Sequence, residues 1–284
     1  MNLLLAKEKI NEFLLEDIGS GDLSTNSIFD KNDKDDGIFI AKQDGIVSGI
    51  DIPNIVYEIL GGQASFTPHK FDGETVKSGE TIGVASGSIQ SLLTGERVIL
   101  NLMQRMSGIS TVTAQAVKTL DDPNIRICDT RKTAPGLRMF DKYSVRMGGG
   151  YNHRVGLYDG VMLKDNHIAY AGGIQQAVEK VRDKIGHMVK IEVEVERLDQ
   201  VKQAVDSAVD VIMFDNRSPE EVKEFAKYVP AHITTEISGG INLQNINSYK
   251  GTNADYISLG FLTHSIKALD ISFNHIKGDK IWRP

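Results

Sequence analysis

Basic side chains crowd one short stretch of an otherwise acidic chain. From Asp129 to His167 the sequence reads DTRKTAPGLRMFDKYSVRMGGGYNHRVGLYDGVMLKDNH. Between Arg131 and Arg154 it sets Arg131, Lys132, Arg138, Lys142, Arg146 and Arg154 against a single acid, Asp141. His153, Lys164 and His167 follow closely. Glycines interrupt the run at Gly136 and at Gly148, Gly149 and Gly150, and glycine lets backbone approach a ligand closely. Cations among glycines suit a small, strongly anionic ligand, because a local basic pocket in a chain of net charge −6 focuses such a ligand. The plainer reading of a charge run is a solvated basic face.

A second set of chemical groups lies further on. Glu192, Glu194 and Glu196 alternate in IEVEVE, so a strand would put all three on one face. Asp215 ends the run VIMFD. Glu194 and Asp215 could bind sugar hydroxyls, hold Mg²⁺ or stabilise a developing cation, whereas Glu192 and Glu196 fit outward pairing with Lys or Arg equally well. Ser238-Gly239-Gly240 and Ser258-Leu259-Gly260 have the composition of loops that bind phosphate through backbone amides. Lys164 leaves open a Schiff base, which requires a desolvated amine. The sequence has no metal-binding histidine pair at helical spacing and no cysteine cluster.

These groups need elements to carry them. Residues 125–128, 160–163, 189–195, 210–214, 232–237 and 255–259 read as strands, each followed by charge or glycine. Helical patterns fill 137–146, 173–185, 197–208, 218–228 and 242–249. Strands alternating with helices imply parallel βαβ units, and without a dinucleotide glycine fingerprint they favour a β/α barrel, whose chemistry sits at the C-terminal strand ends. The first half reads differently. A helix is expected over 3–15, a polar, turn-rich segment over 16–29, strands over 37–50 and 66–87, and a helix over 52–60 with Pro53 in its first turn. A long helix from Ser91 to Leu120 has Thr94 as cap and a possible break at Ser107–Gly108. Arg97 falls in its first turn, against the helix dipole. The final residues, SIKALDISFNHI, read as a helix. The acidic balance argues against nucleic acid as a partner. No apolar run is long enough for a membrane span, and the N-terminus reads as an amphipathic helix, not a signal peptide. Cys128 is the only cysteine, so no internal disulfide can form, and a cytoplasmic location is expected.

At the level of motifs the chain resembles the quinolinate phosphoribosyltransferase family. The likeness covers nearly the whole sequence, through LLEDIGSGDLST, GERVILNLMQRMSGIST, DTRKTAPGLR, KYSVRMGGGYNHRVGLYDGVMLKDNH, IEVEVE, VIMFDN, SGGI and ISLG, in that order. It implies an α/β and α+β protein: an N-terminal α/β sandwich domain over 1–105 and an open, incomplete β/α barrel over 106–264; the C-terminal helix read from the residue pattern, 265–284, is expected to pack back on the first domain. It implies transfer of phosphoribosyl from phosphoribosyl pyrophosphate to quinolinate with loss of CO₂, with Mg²⁺, as a step of NAD synthesis. Carried over by motif, Arg131, Lys132, His153, Arg154 and Lys164 line the quinolinate site, and Thr130 is a further substrate-binding residue. Lys132, Lys164, Glu194 and Asp215 are the expected catalytic groups, and Glu194 and Asp215 lie at the ribose and Mg²⁺. Ser238, Gly239, Gly240, Ser258, Leu259 and Gly260 form the phosphate loops. The resemblance also implies a homodimer in which Arg97 enters the neighbouring subunit's site.

Overall fold

The structure is a computed structural model and describes residues 1–277 and 280–281. The chain forms two compact units: Met1–Ala114 with Ala134–Gly149 and Ser265–Pro284, and Gln115–Thr133 with Gly150–His264.

In the first unit, α1 (Leu3–Ile18) starts where the Asn2 side chain accepts hydrogen bonds from the amides of Leu4 and Leu5, and it buries Ala6, Ile10 and Leu14 at four-residue spacing. The segment expected to be turns contains a short helix, α2 (Leu23–Ile28), capped by Asp22. Strands β1 (Lys34–Ala41) and β2 (Gly45–Ile46) precede α3 (Ile52–Ile59), which has Pro53 at its start. Then come β3 (Ala64–Pro68), β4 (Thr75–Val76), β5 (Thr81–Ser88) and the long α4 (Ile89–Leu120). β1 and β3 flank β5 antiparallel, and β2 pairs with β4. One apolar core joins Ile10, Phe39, Val56, Phe66, Ile82, Ile99 and Met103, drawn from helices and sheet alike.

Three expectations about α4 fail. The helix starts at Ile89, so Arg97 lies beyond its first turn, and Thr94 lies inside it, with its hydroxyl donating to the Asp22 carboxylate instead. No break occurs at Ser107–Gly108. Gly108 is there for a close approach: a Cβ on it would lie 2.3 Å from the Lys267 carbonyl oxygen.

The second unit is built on β6 (Arg126–Cys128). After α5 (Arg138–Met147), which belongs to the first unit, follow β7 (Val161–Leu163), α6 (Asp165–Ala171), α7 (Ile174–Arg182), β8 (Ile191–Val195), α8 (Leu198–Asp206), β9 (Val211–Asp215), α9 (Pro219–Ala226), β10 (Thr234–Ser238), β11 (Tyr256–Ser258) and α10 (Phe261–His264). The six strands form one parallel sheet in the order β6-β11-β10-β9-β8-β7. β6 and β7 are its edges, so the sheet is open, as expected of an incomplete barrel. Alternation sorts each strand: Ile191, Val193 and Val195 are fully buried on one face of β8, which leaves Glu192 and Glu194 for the other. The Ser218 hydroxyl and the Glu221 carboxylate cap α9 reciprocally. Only the end of the helix expected over 242–249 forms, as a 3-10 turn at Ile246–Tyr249.

The expected C-terminal helix is a strand. β12 (Ile271–Lys277) pairs antiparallel with β1, and β13 (Lys280–Ile281) pairs with β12. Leu269, Ile271 and Phe273 recur at every second residue, a strand period, and Phe273 packs on Phe39 with ring centroids 4.6 Å apart. The last part of the segment, residues 278–279 and 282–284, lies outside the described residues. Among the described residues no helix is long and apolar enough to cross a membrane.

Candidate active site

The C-terminal ends of the parallel strands surround a cavity of about 590 Å³ within the second unit. β6 runs into Thr130, Arg131 and Lys132, β7 into Lys164, and β8 supplies Glu194. β9 ends in Asp215 and Asn216, β10 in Ser238, Gly239 and Gly240, and β11 in Ser258; His153 and Arg154 complete the wall. Of the residues carried over by motif, twelve therefore share one cavity. Leu259 does not: it is buried, and its amide is spent on the Cys128 carbonyl, so it offers nothing to a phosphate. Gly260 instead clears space beside Lys132, whose Cδ would lie 3.0 Å from a Cβ there. Arg97 belongs to the first unit, on α4, with its side chain 59% exposed. Arg138, Lys142 and Arg146 stand on α5, in the same unit, and Asp141 there is fully buried in a two-point bond to Arg105 (2.8 and 2.9 Å). The basic run is thus divided between two units.

Backbone and buried acids fix the cationic wall. The Asp129 carboxylate is fully buried and accepts from the His153 amide (2.9 Å) and the Asn152 side chain (2.7 Å), which ties Asn152 and His153 to the end of β6. The Thr130 hydroxyl accepts from the Lys132 amide, and the Thr263 hydroxyl donates to the Lys132 carbonyl. Arg154 donates to the Gly160 carbonyl; burial, then the neighbouring Arg131 charge, lowers its guanidinium from the usual arginine range. Arg131 Nε is buried with no hydrogen-bond partner. Two crowded guanidiniums, one with an unmet donor, are stabilised by an anion between them.

The acidic wall faces this. Lys164 Nζ lies 2.6 Å from Glu194 Oε2. Lys164 is half exposed and ion-paired, so it lacks the desolvation that Schiff-base chemistry needs. Asn216, not singled out from the sequence, has a left-handed backbone (φ 53°) and donates to Asp215 Oδ2 at 2.6 Å. Its Oδ1 fills the place where Gly239 would carry a Cβ, 2.2 Å away, and Gly239 itself has φ 87°. The signal for Asn216 was present: Asn tolerates positive φ, and it follows a strand-end acid. His167 does not line the cavity; its Nδ1 accepts from the Lys164 amide at the start of α6. Glu192 does not face the outer helices. It lies inside, 3.0 Å from His153, while Glu196 is exposed.

An open parallel α/β sheet with cations, paired carboxylates and a glycine turn at its strand ends is the kind of site that suits anionic small molecules. Residues 22–107 match the family profile "Quinolinate phosphoribosyl transferase, N-terminal domain" and residues 109–274 the corresponding C-terminal domain. The chain belongs to the quinolinate phosphoribosyl transferase family. It is 53% identical over 274 residues (96% of this chain, 94% of the relative) to a Bacillus subtilis protein named probable nicotinate-nucleotide pyrophosphorylase (carboxylating). An Arabidopsis thaliana chloroplastic nicotinate-nucleotide pyrophosphorylase (carboxylating) is 38% identical, with 94% of this chain and 81% of that one covered. The crystal structure of NadC from Streptococcus pyogenes superposes with a TM-score of 0.93 at 39% identity, covering 98% of this chain and 99% of that one.

Proposed function

We propose that the chain transfers the phosphoribosyl group of phosphoribosyl pyrophosphate to the ring nitrogen of quinolinate and releases pyrophosphate and CO₂, giving nicotinate mononucleotide for NAD synthesis. The observation that carries this is the pairing, in one cavity, of Arg131, Lys132, Arg154 and Lys164 with Glu194, Asp215 and a glycine turn. Quinolinate is a dianion, and guanidiniums grip carboxylates through two parallel hydrogen bonds that fix the ring as well as its charge. The sugar–pyrophosphate bond breaks as the bond to nitrogen forms. Glu194 and Asp215 stabilise the oxocarbenium-like carbon between them, and the amides of Ser238, Gly239 and Gly240 hold the 5′-phosphate. The ring, now a pyridinium, accepts the electron pair left when the 2-carboxylate departs as CO₂. That carbon then takes a proton, for which Lys132 and Lys164 are the cationic acids on the cavity wall.

Two adjacent strand-end carboxylates suit Mg²⁺, which commonly binds one or two protein carboxylates together with substrate phosphates. When bound, the ion offsets charge on the leaving pyrophosphate. The exposure of Arg97 on α4 supports a homodimer in which it reaches the neighbouring subunit's quinolinate. A cytoplasmic setting fits a chain whose one cysteine, Cys128, has no second cysteine to form a disulfide with. The deciding assay supplies phosphoribosyl pyrophosphate and Mg²⁺ with either quinolinate or nicotinate, and measures nucleotide and CO₂. The expected result is one CO₂ per nucleotide, with quinolinate only; turnover of nicotinate in place of quinolinate would overturn the reading.

A further inference from the structure

A second cavity, of about 480 Å³, opens at the opposite end of the same strands and shares His153 and Arg154 with the first. His153 stands between the two, and its far edge meets two buried acids. His153 Nε2 is 3.0 Å from Glu192 Oε2 and 3.5 Å from Glu236 Oε2. Both glutamate side chains are more than nine-tenths buried, and the other oxygen of each, Oε1, has no hydrogen-bond partner. One nitrogen and two carboxylate oxygens within 4.8 Å of one another have the outline of a metal site.

The other side of the ring argues against a metal. His153 Nδ1 accepts a hydrogen bond from the Arg154 backbone amide at 2.8 Å. A backbone N–H always donates, so Nδ1 carries a lone pair, and in neutral imidazole the proton is then on Nε2. A metal at Nε2 requires the reverse, a lone pair there and a proton on Nδ1. The group facing the acids is therefore an N–H, and the acids are acceptors for it. Burial and the Glu192 charge push the Glu236 carboxyl up to about 7, as expected of two carboxylates crowded around one donor.

We infer that Glu192, with Glu236 behind it, is a positioning residue that locks the His153 ring as the Nε2–H tautomer and so holds one wall of the quinolinate pocket in place. The inference rests on the proposed reaction for its substrate, but its direct test does not. The His153 ring is clamped on both edges: a main-chain donor on Nδ1 and a carboxylate on Nε2–H. Loss of the acceptor at 192 frees one edge of a ring packed between two cavities, and the ring turns.

The test has two parts. The first is nitrogen-15 histidine NMR on the full unmodified chain, with the His153 signals assigned by loss in His153→Asn. The expected result is a single neutral tautomer with a slowly exchanging proton on Nε2 that does not move on adding Zn²⁺. An Nδ1–H tautomer, a mixture of tautomers, or stoichiometric Zn²⁺ shifts at His153 would overturn the inference whatever the enzyme catalyses. The second compares Glu192→Leu, which removes the acceptor, with Glu192→Gln, which keeps an acceptor oxygen but no charge. If the acids act only through charge, either change relieves repulsion of a dianion and lowers KM for quinolinate. Positioning gives the opposite sign. Glu192→Leu raises KM about tenfold, the scale of one hydrogen bond to a charged group, with a smaller change in kcat, and Glu192→Gln recovers most of it. A KM that stays level or falls in folded Glu192→Leu would refute the positioning role.

Discussion

Gly239→Ala tests whether the turn after β10 holds Asp215 in place as well as approaching phosphate. The methyl group would lie 2.2 Å from Asn216 Oδ1 and 2.9 Å from the Asn216 amide nitrogen, on a residue with φ 87°. The left-handed backbone alone costs a non-glycine residue about 1–2 kcal/mol. Moving the Asn216 side chain out of its rotamer adds about 0.5–1.5 kcal/mol, so a loss of about 2–3 kcal/mol is expected. The two parts can be separated. Asn216→Gly removes the obstructing amide, and glycine accepts the φ of 53° at that position. In the double variant the clash with the Asn216 side chain disappears, while the 2.9 Å contact with the residue-216 amide nitrogen and the backbone part remain. A coupling of about 1 kcal/mol should appear in urea unfolding followed by circular dichroism. Because the Asn216 side chain also donates to Asp215 Oδ2, Gly239→Ala should raise KM for phosphoribosyl pyrophosphate by about tenfold or more, the size of one lost hydrogen bond to a charged group. Additivity of the two changes within about 0.5 kcal/mol would refute the clash. A destabilised variant with an unchanged KM would refute the turn's part in binding the donor.

Three other outcomes follow from the structure. The Glu236 carboxyl lies near 7 against an ordinary 4.5, so the fold binds a proton there that the unfolded chain releases. Its contribution to stability is therefore greatest below pH 4.5 and falls as the pH rises to about 7. Glu236→Gln should flatten that slope in denaturation midpoints taken from pH 4.5 to 8, and an unchanged slope would contradict it. Asp141→Ala opens the buried two-point pair with Arg105 and should cost about 3 kcal/mol; a thermal midpoint within a degree of the parent would count against that pair as a structural tie. If sites are shared between subunits, mixing inactive Arg97→Ala and inactive Lys164→Ala chains should restore about a quarter of parental activity by random pairing, while verified heterodimers with no activity would reject the sharing.

Strands were legible in this sequence where a short apolar run met polar groups at its end. All six strands of the parallel sheet form where the pattern put them, because burial on the helix-facing side demands residues such as Ile191, Val193, Val195, Ile212 and Phe214. Short-range signals failed where tertiary contacts decide. Gly108 reads as a helix breaker, but its missing side chain admits the Lys267 carbonyl, and α4 continues. In SIKALDISFNHI the apolar residues fit both periods for a few positions, and pairing with β1 selects the strand. The basic stretch looked like one patch because charge is visible in one dimension and the division into two units is not. Thr94 shows the same limit: it has the composition of a cap but serves as a donor to Asp22, seventy-two positions away.

The three alternating glutamates of IEVEVE show what depth adds to a face. A strand period puts Glu192, Glu194 and Glu196 on one side, and by composition they are equivalent. The structure spaces them along the axis of the sheet, and each level has its own partner. Glu196 lies beyond the strand and is exposed. Glu194 is at the cavity wall, paired with Lys164 at 2.6 Å. Glu192 is deepest, out of the first cavity's lining, and meets an N–H of His153 instead of a lysine. On the proposed reaction this order has a reason: a free carboxylate beside a dianion would repel it, so an acid near quinolinate is better screened by a cation or set behind the His153 ring, and an acid toward the sugar, where positive charge develops, is better left accessible. Exchanging the outer pair as Lys164→Glu with Glu194→Lys tests that order: it preserves the ion pair and the fold, yet brings an acid to the position expected to grip a carboxylate. Quinolinate binding should be lost while the thermal midpoint stays near the parent's, and retained binding would show that the pair is structural rather than directional.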